Sequence, residues 1–135
     1  MAPAQAGGEV LIVEDDQGCI ELITEVVSGP GHPVVVCDCV EDALRHLEAS
    51  QPCLVVLDVL LPDGDGFRVL DWLRGNPATE ATPVLLCTAA LFEVASLQRP
   101  LDGPYTDMVS KPFHIESFIS AMNRLLGQPL GKETA

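Results

Sequence analysis

Positive charge is scarce in this chain. Lys and Arg together number 7 against 20 Asp and Glu, a formal net charge of −13 over 135 residues. Nucleic-acid phosphates and anionic lipid headgroups repel a surface of that sign, which argues against direct binding to either. The carboxylate surplus suits a cation-binding site. Long apolar runs are also missing, none approaching the ~20 residues a membrane span requires. Met1 to Gly8 has neither a basic n-region nor an apolar h-region, so no secretory leader is expected. The five cysteines, Cys19, Cys37, Cys39, Cys53 and Cys87, are odd in number and form no Cys-x-x-Cys pair. Neither a disulfide framework nor a zinc site is indicated, and small core thiols in a reducing cytoplasm are the expectation. His32, His46 and His114 are scattered without metal-ligand spacing and are expected at the surface.

What remains is a chain built to fold. Hydrophobic residues make up 47% and charged residues 20%, and the length fits one domain. Four short apolar runs read as buried strands: Val10 to Val13, Val34 to Cys37, Leu54 to Leu57 and Val84 to Cys87. Their apolar residues are continuous, as in a parallel sheet covered on both faces. A weaker fifth run spans Thr106 to Ser110. Helix-period stripes lie between and after the runs. One is Cys19, Leu22, Ile23, Val26 and Val27, with Asp16 as its cap. Others are Val40, Ala43, Leu44 and Leu47; then Gly66, Val69, Leu70 and Leu73; then Ile115, Phe118, Ile119, Met122 and Leu126. A short helix is also expected between Ala89 and Gln98. Alternating strands and helices with right-handed crossovers predict an α/β, doubly wound parallel sheet over residues 9–126. Residues 1–8 and 127–135 read as loose tails.

Ligands of such sheets bind beyond the carboxyl ends of the strands. The first strand runs into Glu14, Asp15 and Asp16, the third into Asp58, the fourth into Thr88, and the fifth is followed by Lys111. Two carboxylates ~4 Å apart repel by about 4 kcal/mol at an effective dielectric near 20. Gathering three requires an offset, and a hard, all-oxygen site suits Mg²⁺. In this reading Asp58 is the nucleophile, Lys111 supplies positive charge for a phosphoryl group, and Thr88 supplies a hydroxyl. Asp63-Gly64-Asp65-Gly66 lacks the downstream ligands of a calcium loop and reads as a turn before a helix.

These pieces match a family. Val10-Leu-Ile-Val-Glu-Asp-Asp16, Leu57-Asp58-Val-Leu-Leu-Pro-Asp-Gly-Asp-Gly66, Thr88-Ala89 and Lys111-Pro112-Phe113 stand in the order of the receiver domain of two-component response regulators, which the chain resembles from about residue 9 to 126. The resemblance implies a flavodoxin-like, five-stranded sheet of order 2-1-3-4-5. It implies that Asp58 accepts a phosphoryl group from a histidine of a sensor kinase or phosphotransfer protein. It assigns Mg²⁺ to Glu14, Asp15, Asp58 and the backbone carbonyl of Leu60, with Asp15 the more direct acid of the pair. Lys111 becomes the phosphate contact and Thr88 the switch hydroxyl.

The chain departs from the family pattern in three places. Met108 stands where a switch aromatic is usual. Pro100 and Pro104 shorten or displace the fourth helix, and the usual dimer through residues 91–107 is not expected. Leu60 and Ala90 cannot orient water by hydrogen bonds, so autodephosphorylation is expected to be slow. Because the output would be a shift between two conformations, a signalling switch rather than an enzyme is expected. The rivals are a small Mg²⁺-dependent phosphohydrolase, which would carry a second Asp where Leu60 stands, and a degenerate receiver acting as a constitutive binding module.

Overall fold

A computed structural model of the chain describes residues 8–28, 32–89, 105–111 and 114–127, with Thr88 described by its backbone only. Strands β1 (Val10–Val13), β2 (Val34–Cys37), β3 (Leu54–Leu57), β4 (Val84–Thr88) and β5 (Thr106–Ser110) form one sheet. Its order is β2-β1-β3-β4-β5, and every neighbouring pair is parallel. Each strand falls on its apolar run; β4 continues one residue further, to Thr88, through pairing with Ser110.

The described helices are α1 (Gln17–Val27), α2 (Val40–Leu47), α3 (Phe67–Arg74) and α4 (Ile115–Leu126). The helix expected between Ala89 and Gln98 lies outside the described residues, apart from Ala89 itself. Alternate side chains of the central strands feed two cores. Leu11, Val13, Val55 and Leu57 pack with residues of α2 and α3. Val10, Ile12, Leu54 and Val56 pack with residues of α1 and α4. Helices on both faces leave β1 and β3 buried at every position, which is why their sequences do not alternate. The edge strands β2 and β5 are only half-covered, and Val36 is 42% exposed. Leu22 and Ile119 are exposed as well, so two stripes read from the spacing are wider than the faces the sheet covers.

Polar ties close the amino end of the sheet. The Glu9 carboxylate takes His46 Nε2 and the Ser50 hydroxyl. His46 is half-buried, as is His32, whereas His114 is exposed as expected. The carbonyl of Gly8 is hydrogen-bonded to His32 Nδ1 at 3.2 Å, so packing reaches one residue into the expected tail. The Arg74 guanidinium donates to the carbonyls of Glu80, Thr82 and Tyr105 and to the Thr106 hydroxyl, tying α3 to the start of β5. Cys37, Cys53 and Cys87 are buried free thiols. Burial pushes Cys37 up to about 11 and Cys87 up to about 12, which suits the core role expected of them.

Candidate functional site

The site forms where β1, β3 and β5 end. Glu14 and Asp58 each follow their strand by one residue, and both keep a ladder hydrogen bond. Glu14 N donates to Cys37 O, and Asp58 N donates to Val13 O, each at 3.0 Å. The sheet thus aims both carboxylates. Both are buried, at 2% and 6% exposure, whereas Asp15 is exposed. One oxygen from each of Glu14, Asp15 and Asp58 lies within 4.8 Å of the other two.

Lys111 enters from the end of β5. Its Nζ donates to Glu14 Oε1 at 2.7 Å and to Asp58 Oδ2 at 3.0 Å. Glu14 Oε2 accepts from the backbone of Asp15 and Asp16, each at 3.2 Å, and Asp58 Oδ1 accepts from Leu60 N at 3.1 Å. Burial raises the Glu14 carboxyl; the Lys111 bond pulls it back, and the neighbouring Asp58 raises it again. Burial alone would lower the Lys111 ammonium, but its bonds to Glu14 and Asp58 outweigh that and hold it above its ordinary range. Three carboxylates against one ammonium leave two negative charges, the amount one divalent cation removes. An all-oxygen donor set of this kind fits Mg²⁺.

The remaining expected site residues fall as follows. Thr88 ends β4, the strand beside β3; its side chain lies outside the described residues. Ala90, Pro112 and Phe113 also lie outside them. Met108 sits in β5, half-buried against the core that α2 and α3 share. Leu60 is 58% exposed beside the acceptor. Asp16 is the α1 cap, its Oδ1 accepting from Gly18 N at 3.1 Å.

The loop after Asp58 carries a feature that spacing did not reveal. Leu60–Leu61 and Gly64–Asp65 pair as a two-stranded antiparallel ribbon, with Pro62 and Asp63 at its tip. Gly64 has φ +152°, a backbone that favours glycine. Asp65 caps the next helix through Phe67 N at 2.8 Å. Asp63 caps a different helix: its two oxygens accept from Val40 N at 2.8 Å and Glu41 N at 3.0 Å, at the start of α2. Those bonds, Val40 first, hold the Asp63 carboxyl below its ordinary 3.8. A folded value below the unfolded one stabilises the protein at pH above the unfolded value and is lost as pH falls through the folded one. Asp63→Ala should therefore lower the Tm at neutral pH. The gap to wild type should close on acidification below 3.8 in paired thermal melts. A gap that widened in acid would contradict the assignment.

Comparison with known proteins agrees with this geometry. A family model described as the response regulator receiver domain matches residues 10–123. The transcriptional regulatory protein GltR of Pseudomonas aeruginosa is 31% identical over 123 residues, covering 89% of this chain and 49% of GltR. The chain spans about half the length of the curated relatives it matches first. A receiver domain of a histidine kinase from Syntrophus aciditrophicus superposes with TM-score 0.74 at 32% identity, covering 89% of this chain and 90% of that one. The receiver domain of the sensor kinase PA1611 from Pseudomonas aeruginosa superposes with TM-score 0.73 at 25% identity, covering 91% of this chain and 100% of that one. That structure holds a magnesium ion coordinated in its active-site cleft. Among the described residues no helix is long and apolar enough to cross a membrane.

Proposed function

The chain belongs to the response regulator receiver family, and on that premise we propose that it is a phosphorylation switch whose acceptor is Asp58. The observation that carries this reading is the convergence of the buried Glu14 and Asp58 carboxylates with Lys111 at the strand ends. A carboxylate oxygen of Asp58 attacks the phosphorus of a phosphohistidine on a sensor kinase or phosphotransfer protein. The new bond is P–O. The P–N bond breaks, and its electron pair returns to the imidazole nitrogen. Such a transfer needs in-line positioning and compensation of equatorial charge more than covalent assistance. Lys111, whose Nζ lies 3.0 Å from Asp58 Oδ2, supplies part of that compensation. Thr88, ending the adjacent strand, is the proposed hydroxyl partner of the phosphoryl group.

Mg²⁺ would be held by Glu14, Asp15, Asp58 and the Leu60 carbonyl. When bound it neutralises the acids and the incoming phosphoryl oxygens. With the phosphoryl group in place, the state in which Lys111 and Thr88 close on it is favoured, and Met108 is the residue we assign to report that change along β5. Leu60 offers an attacking water no hydrogen-bonding side chain, which supports slow loss of the phosphoryl group and a signalling rather than enzymatic role. GltR is by name a transcriptional regulatory protein, which suggests an output module of that class for a longer protein of this kind.

Incubation with Mg²⁺ and acetyl phosphate, read by intact mass, tests the reading. One phosphoryl mass should appear, located at Asp58 by peptide mapping. Continuous turnover without a stable adduct would indicate a phosphohydrolase, and no reaction a dead module. Magnesium alone should stabilise the fold. At ten times its Kd a ligand of the native state adds about 1.4 kcal/mol. Thermal melts in chelator and in Mg²⁺ measure this, and identical curves would remove the metal from the mechanism.

A further inference from the structure

The clasp between Asp63 and α2 has a consequence for phosphoryl transfer. The segment from Asp58 to Gly66 leaves β3, runs out as the ribbon and returns to the start of α3. Its inner part is anchored. Val59 is buried, as is Leu61 on the first strand of the ribbon, and Gly66 N donates to Val59 O at 2.7 Å. Its outer part has only two residues per strand, and a ribbon that short has little stability of its own. Outside support comes from α2. The capping residue of α2, Cys39, makes no side-chain cap hydrogen bond to the helix, and the ribbon tip takes two of its free N–H groups from 22 and 23 residues away in sequence. Between that tip and the acceptor lies Leu60, whose N–H orients Asp58 Oδ1 at 3.1 Å. The path is contiguous: α2 amides, Asp63, ribbon, Leu60 N–H, Asp58.

We propose that Asp63 is a positioning residue for the phosphoacceptor, holding the Asp58 loop to the N-terminus of α2 so that helix and acceptor share one placement. This rests on the receiver reading given above. Asp63 itself touches no reacting atom. It acts through the ribbon on the Leu60 amide, and through that amide on one oxygen of the nucleophile. Coupling of this kind is reciprocal: whatever fixes the acceptor also fixes the start of α2. The helix is thereby a second place at which occupancy of the acceptor is felt, on the core opposite the one built by α1 and α4.

The test compares the rate of phosphorylation by acetyl phosphate in Mg²⁺ for wild type, Asp63→Ala, Asp63→Asn and Ala43→Gly. Misplacing a nucleophile by a fraction of an ångström is costly, so Asp63→Ala should slow the reaction about tenfold. Asp63→Asn keeps one amide acceptor and should recover most of the rate. Ala43→Gly weakens α2 from its buried face without touching the clasp and should stay within about twofold of wild type. Amide exchange at Val40 and Glu41 is the second readout. Beryllofluoride with Mg²⁺ should slow it in wild type and in Asp63→Asn, but not in Asp63→Ala. If Asp63→Ala does not fold, Asp63→Asn and wild type still decide through that exchange. Wild-type rates in Asp63→Ala, equal slowing in Ala43→Gly, or exchange indifferent to beryllofluoride in phosphorylatable wild type would overturn the proposal. A wild-type protein that takes up no phosphoryl group would overturn the receiver reading instead.

Discussion

Asp58→Asn should abolish the gain of phosphoryl mass from acetyl phosphate, slowing it by more than about a thousandfold as expected for loss of the nucleophile. No neighbour takes its place. Glu14 has one oxygen on Lys111 and the other on two backbone amides, and Asp15, exposed at the rim of the same cluster, is assigned to the metal. The loss should be chemical rather than structural. Asn keeps an oxygen for the Leu60 amide, and Lys111 keeps Glu14 as partner, so no buried charge is left unpaired. Circular dichroism and cooperative melting should remain native. One titration should move with the substitution. Burial, the largest cause of the raised Glu14 carboxyl, stays, but the neighbouring Asp58 charge that adds to it goes. Glu14 in the variant should therefore titrate lower than in wild type, which carbon-detected NMR of the carboxyl can follow. Phosphorylation of the variant at the wild-type rate would sink the assignment of the acceptor, whatever happened to Glu14.

The part of this site that was legible in the sequence is the part fixed by strand ends. A run such as Leu54 to Leu57 is buried at every position, so the residue after it must emerge at the sheet edge. Asp58 was readable for that reason, as was Glu14 after Val13. Lys111 was readable too, as one of only 7 Lys and Arg residues, following a run that ends at the same edge, and the family pattern then agreed. The ribbon and the clasp were not legible. Asp63 looks like a turn residue by local chemistry, and its partners Val40 and Glu41 are chosen by how α2 docks on the sheet. Glu9, His46 and Ser50 meet for the same reason, across elements whose separation in sequence hides their contact. Helix stripes failed in a different way. A period of 3.6 marks which residues share a side, but the width of the covered stripe depends on the neighbouring layer, so Leu22 and Ile119 are left in solvent.

Gly66→Ala should be far more damaging than one added methyl usually is, and the reason is close approach rather than backbone conformation. Gly66 has φ −61° and ψ −17°, which any residue adopts. On conformational grounds alone, replacing it would add about 0.4–1 kcal/mol by restricting the unfolded chain. A Cβ at this position, however, would stand 2.1 Å from the carbonyl oxygen of Asp58 and 3.0 Å from Val59 Cα. Both are backbone atoms of the acceptor segment and cannot swing aside as a side chain can. Overpacking that forces backbone shifts costs about 1–3 kcal/mol, so the clash outweighs the entropic gain. A net loss of roughly 1–2 kcal/mol in urea unfolding is expected. The same displacement, of about an ångström, falls on the backbone of the nucleophile, and phosphorylation should drop about a hundredfold. Gly18→Ala is the matched control. Its Cβ meets nothing nearer than 3.7 Å, and it lies within α1, where glycine is the poorer residue. That substitution should raise stability by roughly 0.5–1 kcal/mol and leave phosphorylation unchanged. The two variants make the same chemical change with opposite expected signs. If Gly66→Ala melted and phosphorylated like wild type, the acceptor loop would not be seated against the start of α3 as described, and the placement of Asp58 would fall with it.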